Sequence, residues 1–249
     1  MNPTVKELQA SFKQLRLSET AEALPNLLRQ AEQKSWTYLE LIAHLTHYEI
    51  EQREQKSIER RMKWANFPYI KGLTEFHLEE QTALSSRQLE QLKELNWLEQ
   101  CCNLILLGPP GVGKTALSVG LGIEAVQCGH QVGFVTMGEL LHLLKTEPYT
   151  RKAQMRLNRL RSSQLIIIDD LMYVAIEPQD ATLFFHFVHD TYEKSALILT
   201  SNKAPEQWSD LVADPGIASA ILDRLLHRVE VIHMDGDSYR MKHQQKIFS

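Results

Sequence analysis

Residues Gly108, Pro109, Pro110, Gly111, Val112, Gly113, Lys114 and Thr115 have the spacing G-x-x-x-x-G-K-T. That is the spacing of a loop that wraps phosphate groups. Glycine has no Cβ, so backbone N–H groups there can turn inward and ring an anion. Lys114 is placed to reach terminal phosphates, and the Thr115 hydroxyl to ligate Mg2+. A ligand-free glycine turn would make that lysine and that threonine accidental. The second group is Asp169 and Asp170, which close the run Leu165, Ile166, Ile167, Ile168. Acids at the carboxyl end of a buried strand face the crevice in which open α/β sheets hold ligands. With a phosphate loop upstream, Asp169 fits the acid that holds the Mg2+ shell. Asp170 fits the group that polarises an attacking water. The expected cofactors are ATP and Mg2+.

These groups need a scaffold, and the flanking residues supply one. Residues 103–107 read as a buried strand and the residues after Thr115 as a helix, the context a phosphate loop requires. Residues 131–136 read as a second strand, 138–144 as a helix and 165–168 as a third strand, buried on both faces. Residues 178–192 form a helix whose Phe184, Phe185, Phe187 and Val188 read as core. A fourth strand, 196–200, runs into Thr200, Ser201 and Asn202. The Asn202 amide is expected beside the two aspartates, where it orients water or senses a γ-phosphate. A helix over 217–227 carries Asp223 and Arg224, residues 229–234 read as a fifth strand, and Arg240 follows. Strands alternating with helices predict an α/β fold, a five-stranded parallel sheet sandwiched by helices.

The first third reads differently. Residues 1–66 predict a small all-α module, with Val5, Leu8, Phe12 and Leu15 at helical spacing. A second helix starts near Ser18, with Leu24, Leu27, Leu28 and Ala31 on one face; Pro25 inside it predicts a kink or a later start. Thr37 with Glu40 three residues on has the pattern of a capping box. It opens a third helix bearing Leu41, Ile42, Leu45 and Tyr48. Residues 67–100 form a connector anchored by Leu73 and Phe76, ending in one short helix with Leu89, Leu92, Leu95 and Leu98. Residues 101–249 form the third region.

Two stretches are basic. Lys56, Arg60, Arg61 and Lys63 lie late in the third helix, with Glu54 and Glu59 among them. Three readings stand open there: a solvated face, phosphate contact along a nucleic-acid backbone, or a helix-in-groove contact with a protein. Arg151, Lys152, Arg156, Arg159 and Arg161 fall in eleven residues without an acid. An amphipathic helix with Met155, Leu157 and Leu160 inward explains the pattern, but the missing acids favour a basic strip on nucleic acid. His44 with His47, and His186 with His189 and Asp190, read as structural rather than as metal ligands.

The formal charge is −4, so nucleic-acid contact must come from local patches and not from the global field. No apolar run approaches the ~20 residues of a membrane span. Cys101, Cys102 and Cys128 fit neither a disulfide framework nor a metal spacing, and the first residues lack a secretory core. A cytoplasmic location is expected.

The segments 107–115, 166–171, 199–202, 218–227 (Ala-Ser-Ala-Ile-Leu-Asp-Arg-Leu-Leu-His) and 238–240 (Ser-Tyr-Arg) come in the order of an AAA+ ATPase. Together with the connector from Trp64 to Leu73 and with Phe76, they resemble IstB, the helper ATPase of insertion sequences, in the IstB/DnaC-like branch. The resemblance covers roughly residues 40–245. It implies an oligomeric, DNA-binding ATPase that assists a transposase on duplex DNA with weak sequence preference. It also implies roles: Asn202 as first sensor, Arg224 as a finger reaching the γ-phosphate of a neighbouring subunit, with Arg228 as a lesser candidate, and Arg240 as second sensor. Asp170 stands where AAA+ proteins more often have Glu, so slow turnover is expected. A replicative helicase loader of the DnaC type is the alternative. A metabolic P-loop kinase fits Asn202, Arg224 and Arg240 less well.

Overall fold

The computed structural model describes residues 4–76, 84–171, 177–208 and 214–236. The chain separates into two compact units, one up to Arg60 and one from Arg61 onward. The expected boundary, at residue 66, lies at the end of the helix that runs through this division.

The first unit holds α1 (Val5–Gln14), α2 (Ser18–Lys34) and most of α3 (Tyr38–Ala65). Thr37 and Glu40 cap α3 reciprocally: the Glu40 N–H donates to Thr37 Oγ1 at 3.3 Å, and the Thr37 N–H to the Glu40 carboxylate at 2.7 Å. Helix α2 starts at Ser18 and runs through Pro25. Proline has no N–H, so it leaves the carbonyl four residues back without its helical donor. That carbonyl is Ala21 O, and the Gln9 side-chain amide donates to it at 2.8 Å. Ala21, Leu24 and Leu27 are buried, whereas Ile42 of α3 is exposed. The Glu49 carboxylate is buried and accepts from both the N–H (2.8 Å) and the hydroxyl (2.9 Å) of Thr20, in the first turn of α2.

The second unit is built on a five-stranded, all-parallel sheet: β1 (Asn103–Leu107), β2 (Val132–Thr136), β3 (Leu165–Asp169), β4 (Ala196–Ser201) and β5 (Val229–His233). Their order is β2-β3-β4-β1-β5. Helices cover both faces, which is why β1, β3 and β4 are apolar almost throughout and fully buried. The helices are α4 (Ser86–Lys93), the single turn α5 (Asn96–Glu99), α6 (Lys114–Gln127), α7 (Met137–Thr146), α8 (Arg151–Arg161), α9 (Pro178–Thr191) and α10 (Pro215–Leu226). The core joins Ile166, Ile168, Phe184, Phe187, Leu199 and Ile221 with their neighbours.

The leucine-rich end of the connector is two elements instead of one helix. Leu95 takes a left-handed conformation (φ +59°) between α4 and α5, and this break lets Leu89, Leu92, Leu95 and Leu98 all be buried. Leu73 packs on α6 at Gly120, where a Cβ would stand 2.4 Å from a Leu73 methyl. A larger residue there would force the Leu73 side chain to move. Met155 of α8 is exposed; Ala153, Leu157 and Leu160 form its buried face.

Candidate nucleotide site

Strand β1 ends at Leu107 and the chain turns at Gly108, whose φ is +153°. The Gly108 N–H donates to Ser201 O at 3.2 Å. Gly111 (φ +88°) and Gly113 (φ +94°) occupy left-handed backbone that L side chains rarely adopt, and Gly113 is the N-cap of α6. Val112 is buried and pins the loop to the body. The Lys114 ammonium donates to Gly108 O (2.7 Å) and Pro109 O (2.8 Å), so its stem is folded back over the loop.

Opposite the loop stands the acid turn at the end of β3. The Thr115 hydroxyl lies 2.9 and 3.1 Å from the two Asp169 carboxylate oxygens. The Thr200 hydroxyl donates to Asp169 Oδ1 at 2.6 Å. It also accepts the Asp170 N–H at 2.9 Å, and Thr200 O accepts the Leu171 N–H at 2.8 Å. Asp170 itself has φ +57° and is exposed. Burial pushes the Asp169 carboxyl above the usual carboxylate range. Hydrogen bonds from Thr200 and Thr115 oppose that rise, the neighbouring Asp170 adds to it and Lys114 opposes it.

This donor set fits a magnesium nucleotide. A hydroxyl and a carboxylate in contact are the hard oxygen ligands Mg2+ takes when it keeps waters and phosphates in its remaining positions. The N-terminus of α6, a helix of 14 residues, points N–H groups and a favourable dipole toward an anion.

The remaining expected residues divide. Asn202 sits just beyond β4 and is exposed; among the described residues its side chain makes no hydrogen bond. Thr200, not Asn202, is the β4 residue that meets the acids. Its signal was available only as register: Asp169 and Thr200 lie one step beyond the paired positions Ile168 and Leu199. Arg224 is not near the loop. Its guanidinium stacks over Phe185 (4.9 Å) and donates to Ala220 O at 2.8 Å. With Arg228, Asn103, Tyr192 and His227 it lines an open cleft of about 330 Å3. Asn103 and Leu197 place that cleft at the amino ends of β1 and β4, the opposite edge from the phosphate loop. Arg240 lies outside the described residues.

The basic strip of α8 is smaller than its sequence implies. Arg156 is largely buried, donates to Phe134 O and faces Glu139, so its guanidinium is turned inward and not toward a DNA phosphate as expected. Arg161 forks onto Glu147 and also meets Asp190. Arg159 lies over the Trp64 ring at 4.8 Å. Arg151 and Lys152 remain exposed, beside the exposed Tyr149 and Met155. On α3, Lys56 is paired with Glu19 at 2.6 Å and Arg61 donates to Val126 O at 3.2 Å, while Arg60 and Lys63 are exposed. Among the described residues no cluster of His, Cys, Asp and Glu could hold a metal by itself, and no helix is long and apolar enough to cross a membrane. His44 stacks on Trp36 and His189 on Phe185.

The family model for IstB-like ATP binding proteins matches residues 10–247. The chain belongs to that family. It is 36% identical over 244 residues to an IS21-like insertion-sequence ATP-binding protein of Bacteroides fragilis, covering 98% of this chain and 93% of that one. Among solved structures it resembles DnaI (TM-score 0.56, 19% identity, 66% of this chain and 90% of that one). It also resembles the DnaC helicase loader (TM-score 0.53, 19% identity, 70% and 99%). These two likenesses show the fold, a parallel α/β core.

Proposed function

We propose that this protein binds and slowly hydrolyses Mg·ATP, assembles with copies of itself through the nucleotide, and in that state grips duplex DNA for a transposase. The observation that carries the proposal is the contact of Thr115 with Asp169 directly after a glycine-rich loop and its lysine. When bound, Mg·ATP supplies the bond to be cleaved and the metal offsets the phosphate charge. The N–H groups of residues 111–115 and Lys114 hold the phosphates, and Thr115 with Asp169 holds the metal. Asp170 takes the proton of the attacking water, and Asn202 orients that water. A carboxylate one methylene shorter than glutamate reaches less far, hence the slow turnover. Arg224 lies a sheet's length from its own loop, so its target is the γ-phosphate of a neighbouring copy. Arg240 would add a second contact from the same chain.

For DNA, Arg151 and Lys152 are the strongest of the basic residues, being exposed with no acid paired to them among the described residues. Arg60, Lys63 and Arg159 are secondary. Two or three cations per copy sum once several copies share one duplex, giving a strongly salt-sensitive affinity, since the slope of log K against log salt steepens by about 0.9 per phosphate neutralised. Particle imaging with duplex DNA and a non-hydrolysable ATP analogue tests the reading. Assemblies should form with the wild type and vanish with Lys114→Ala. An unchanged assembly in that variant, or a hexameric helicase captured while duplex DNA is ignored, would overturn it.

A further inference from the structure

In this sheet β4 lies between β1 and β3. The phosphate loop and the acid turn therefore hang on strands that do not touch, and β4 is the strand that borders both. Thr200 is fully buried there. Its hydroxyl has one proton to give and lone pairs to receive with, and both capacities are used on the acid turn. The proton goes to Asp169 Oδ1 (2.6 Å), while a lone pair accepts the Asp170 N–H (2.9 Å). Its carbonyl takes the Leu171 N–H (2.8 Å). One residue thus holds three consecutive positions. Between the two N–H groups so held, Asp170 keeps a left-handed backbone (φ +57°), a conformation that persists only where its surroundings enforce it.

We infer that Thr200 is a positioning residue for hydrolysis, holding Asp169 by one carboxylate oxygen and fixing the backbone turn from which the Asp170 carboxylate projects. With Oδ1 committed to the Thr200 proton and nearest to Thr115 as well (2.9 Å), Oδ2, which among the described residues meets only Thr115 at 3.1 Å, is the oxygen presented to a metal. The inference rests on the Mg·ATP reading above. It adds to the proposed role of the exposed Asn202 amide a buried hydroxyl two residues earlier, which acts on the acids themselves.

The test uses the full chain and two substitutions. Thr200→Val keeps the shape and removes the hydroxyl; Thr200→Ser keeps the hydroxyl. Melting temperature, affinity for a fluorescent ATP analogue in Mg2+ and in EDTA, and single-turnover hydrolysis are measured for each. Thr200→Val should hydrolyse about 10- to 100-fold more slowly, the worth of one or two buried hydrogen bonds. Its nucleotide affinity in EDTA should stay within about twofold, and the gain in affinity on adding Mg2+ should shrink. Thr200→Ser should return both to near the wild-type values. Should Thr200→Val melt below the assay temperature, Thr200→Cys, of like size and a poor donor, takes its place. Wild-type hydrolysis in the hydroxyl-free variant, or equal damage in the serine variant, would overturn the inference. A wild-type protein that binds nucleotide no better with Mg2+ than with EDTA would instead remove the reading beneath it.

Discussion

Replacing Gly108 by alanine should break the nucleotide site and weaken the fold that carries it. A Cβ built there stands 2.0 Å from the carbonyl oxygen of Met234, just past the end of β5. Carbon and oxygen in contact settle at about 3.3 Å, so about 1.3 Å of movement is required. Met234 is poorly placed to give way, since its own N–H donates to Leu107 O at 2.6 Å. The backbone at φ +153° adds a second penalty, because an L side chain rarely adopts it. Overpacking costs about 1–3 kcal/mol. With the backbone strain, a loss of about 3 kcal/mol is expected, or about 6–12 °C in a domain of this size. Calorimetry should show that drop, and titration with a fluorescent ATP analogue should show at least tenfold weaker binding. A variant that melts within about 2 °C of the wild type and binds nucleotide normally would refute the reasoning, since the close approach of the β5 end to the loop would then be absent.

Asp170→Glu should speed hydrolysis in an intact, ATP-dependent assembly; no rate gain in a multiple-turnover phosphate-release assay would count against the shorter carboxylate as the brake. Arg151→Ala with Lys152→Ala should weaken duplex binding and flatten its salt dependence by about 0.9 per lost phosphate contact, measured by fluorescence anisotropy. Arg156→Ala should instead lower the melting temperature and leave the salt slope alone, because that guanidinium is spent on Phe134 O and Glu139. For Glu49, burial works against the charge, but the Thr20 N–H, the Thr20 hydroxyl and Arg53 outweigh it and hold the carboxyl below its ordinary value. A depressed folded pKa stabilises above the unfolded value of about 4.3 and is lost as pH falls through the folded value. Glu49→Gln should therefore cost about 1–3 kcal/mol at pH 7. The gap to the wild type should close in acid melts below pH ~4, and a constant gap would contradict the assignment.

The phosphate loop, the acid pair and the five strands were legible because each is local: a spacing, a run of aliphatics, a pair of acids at a strand end. What escaped depends on partners distant in the chain. The charge count over residues 151–161 is right, yet Glu139, Glu147 and Asp190, all outside that helix, pair with Arg156 and Arg161. The leucine series at residues 89–98 has helical spacing and no glycine or proline to announce the break at Leu95. Pro25 warned of a kink, but the donor that supports the helix there comes from Gln9. Thr200 was hidden for the same kind of reason, since only the strand order sets its hydroxyl beside Asp169.

The placing of Arg224 and the phosphate loop at opposite edges of one sheet has an arithmetic consequence for the proposed assembly. A row of n copies with free ends has n − 1 complete junctions, leaving one terminal copy with bound nucleotide and no arginine to act on it. Hydrolysis per copy then climbs with the length of the row, and an excess of Arg224→Ala chains should poison a mixture at each junction they supply while leaving their own loops serviceable. Lys114→Ala chains, by contrast, form no junction through their own loop and would serve a neighbour only from the end of a row.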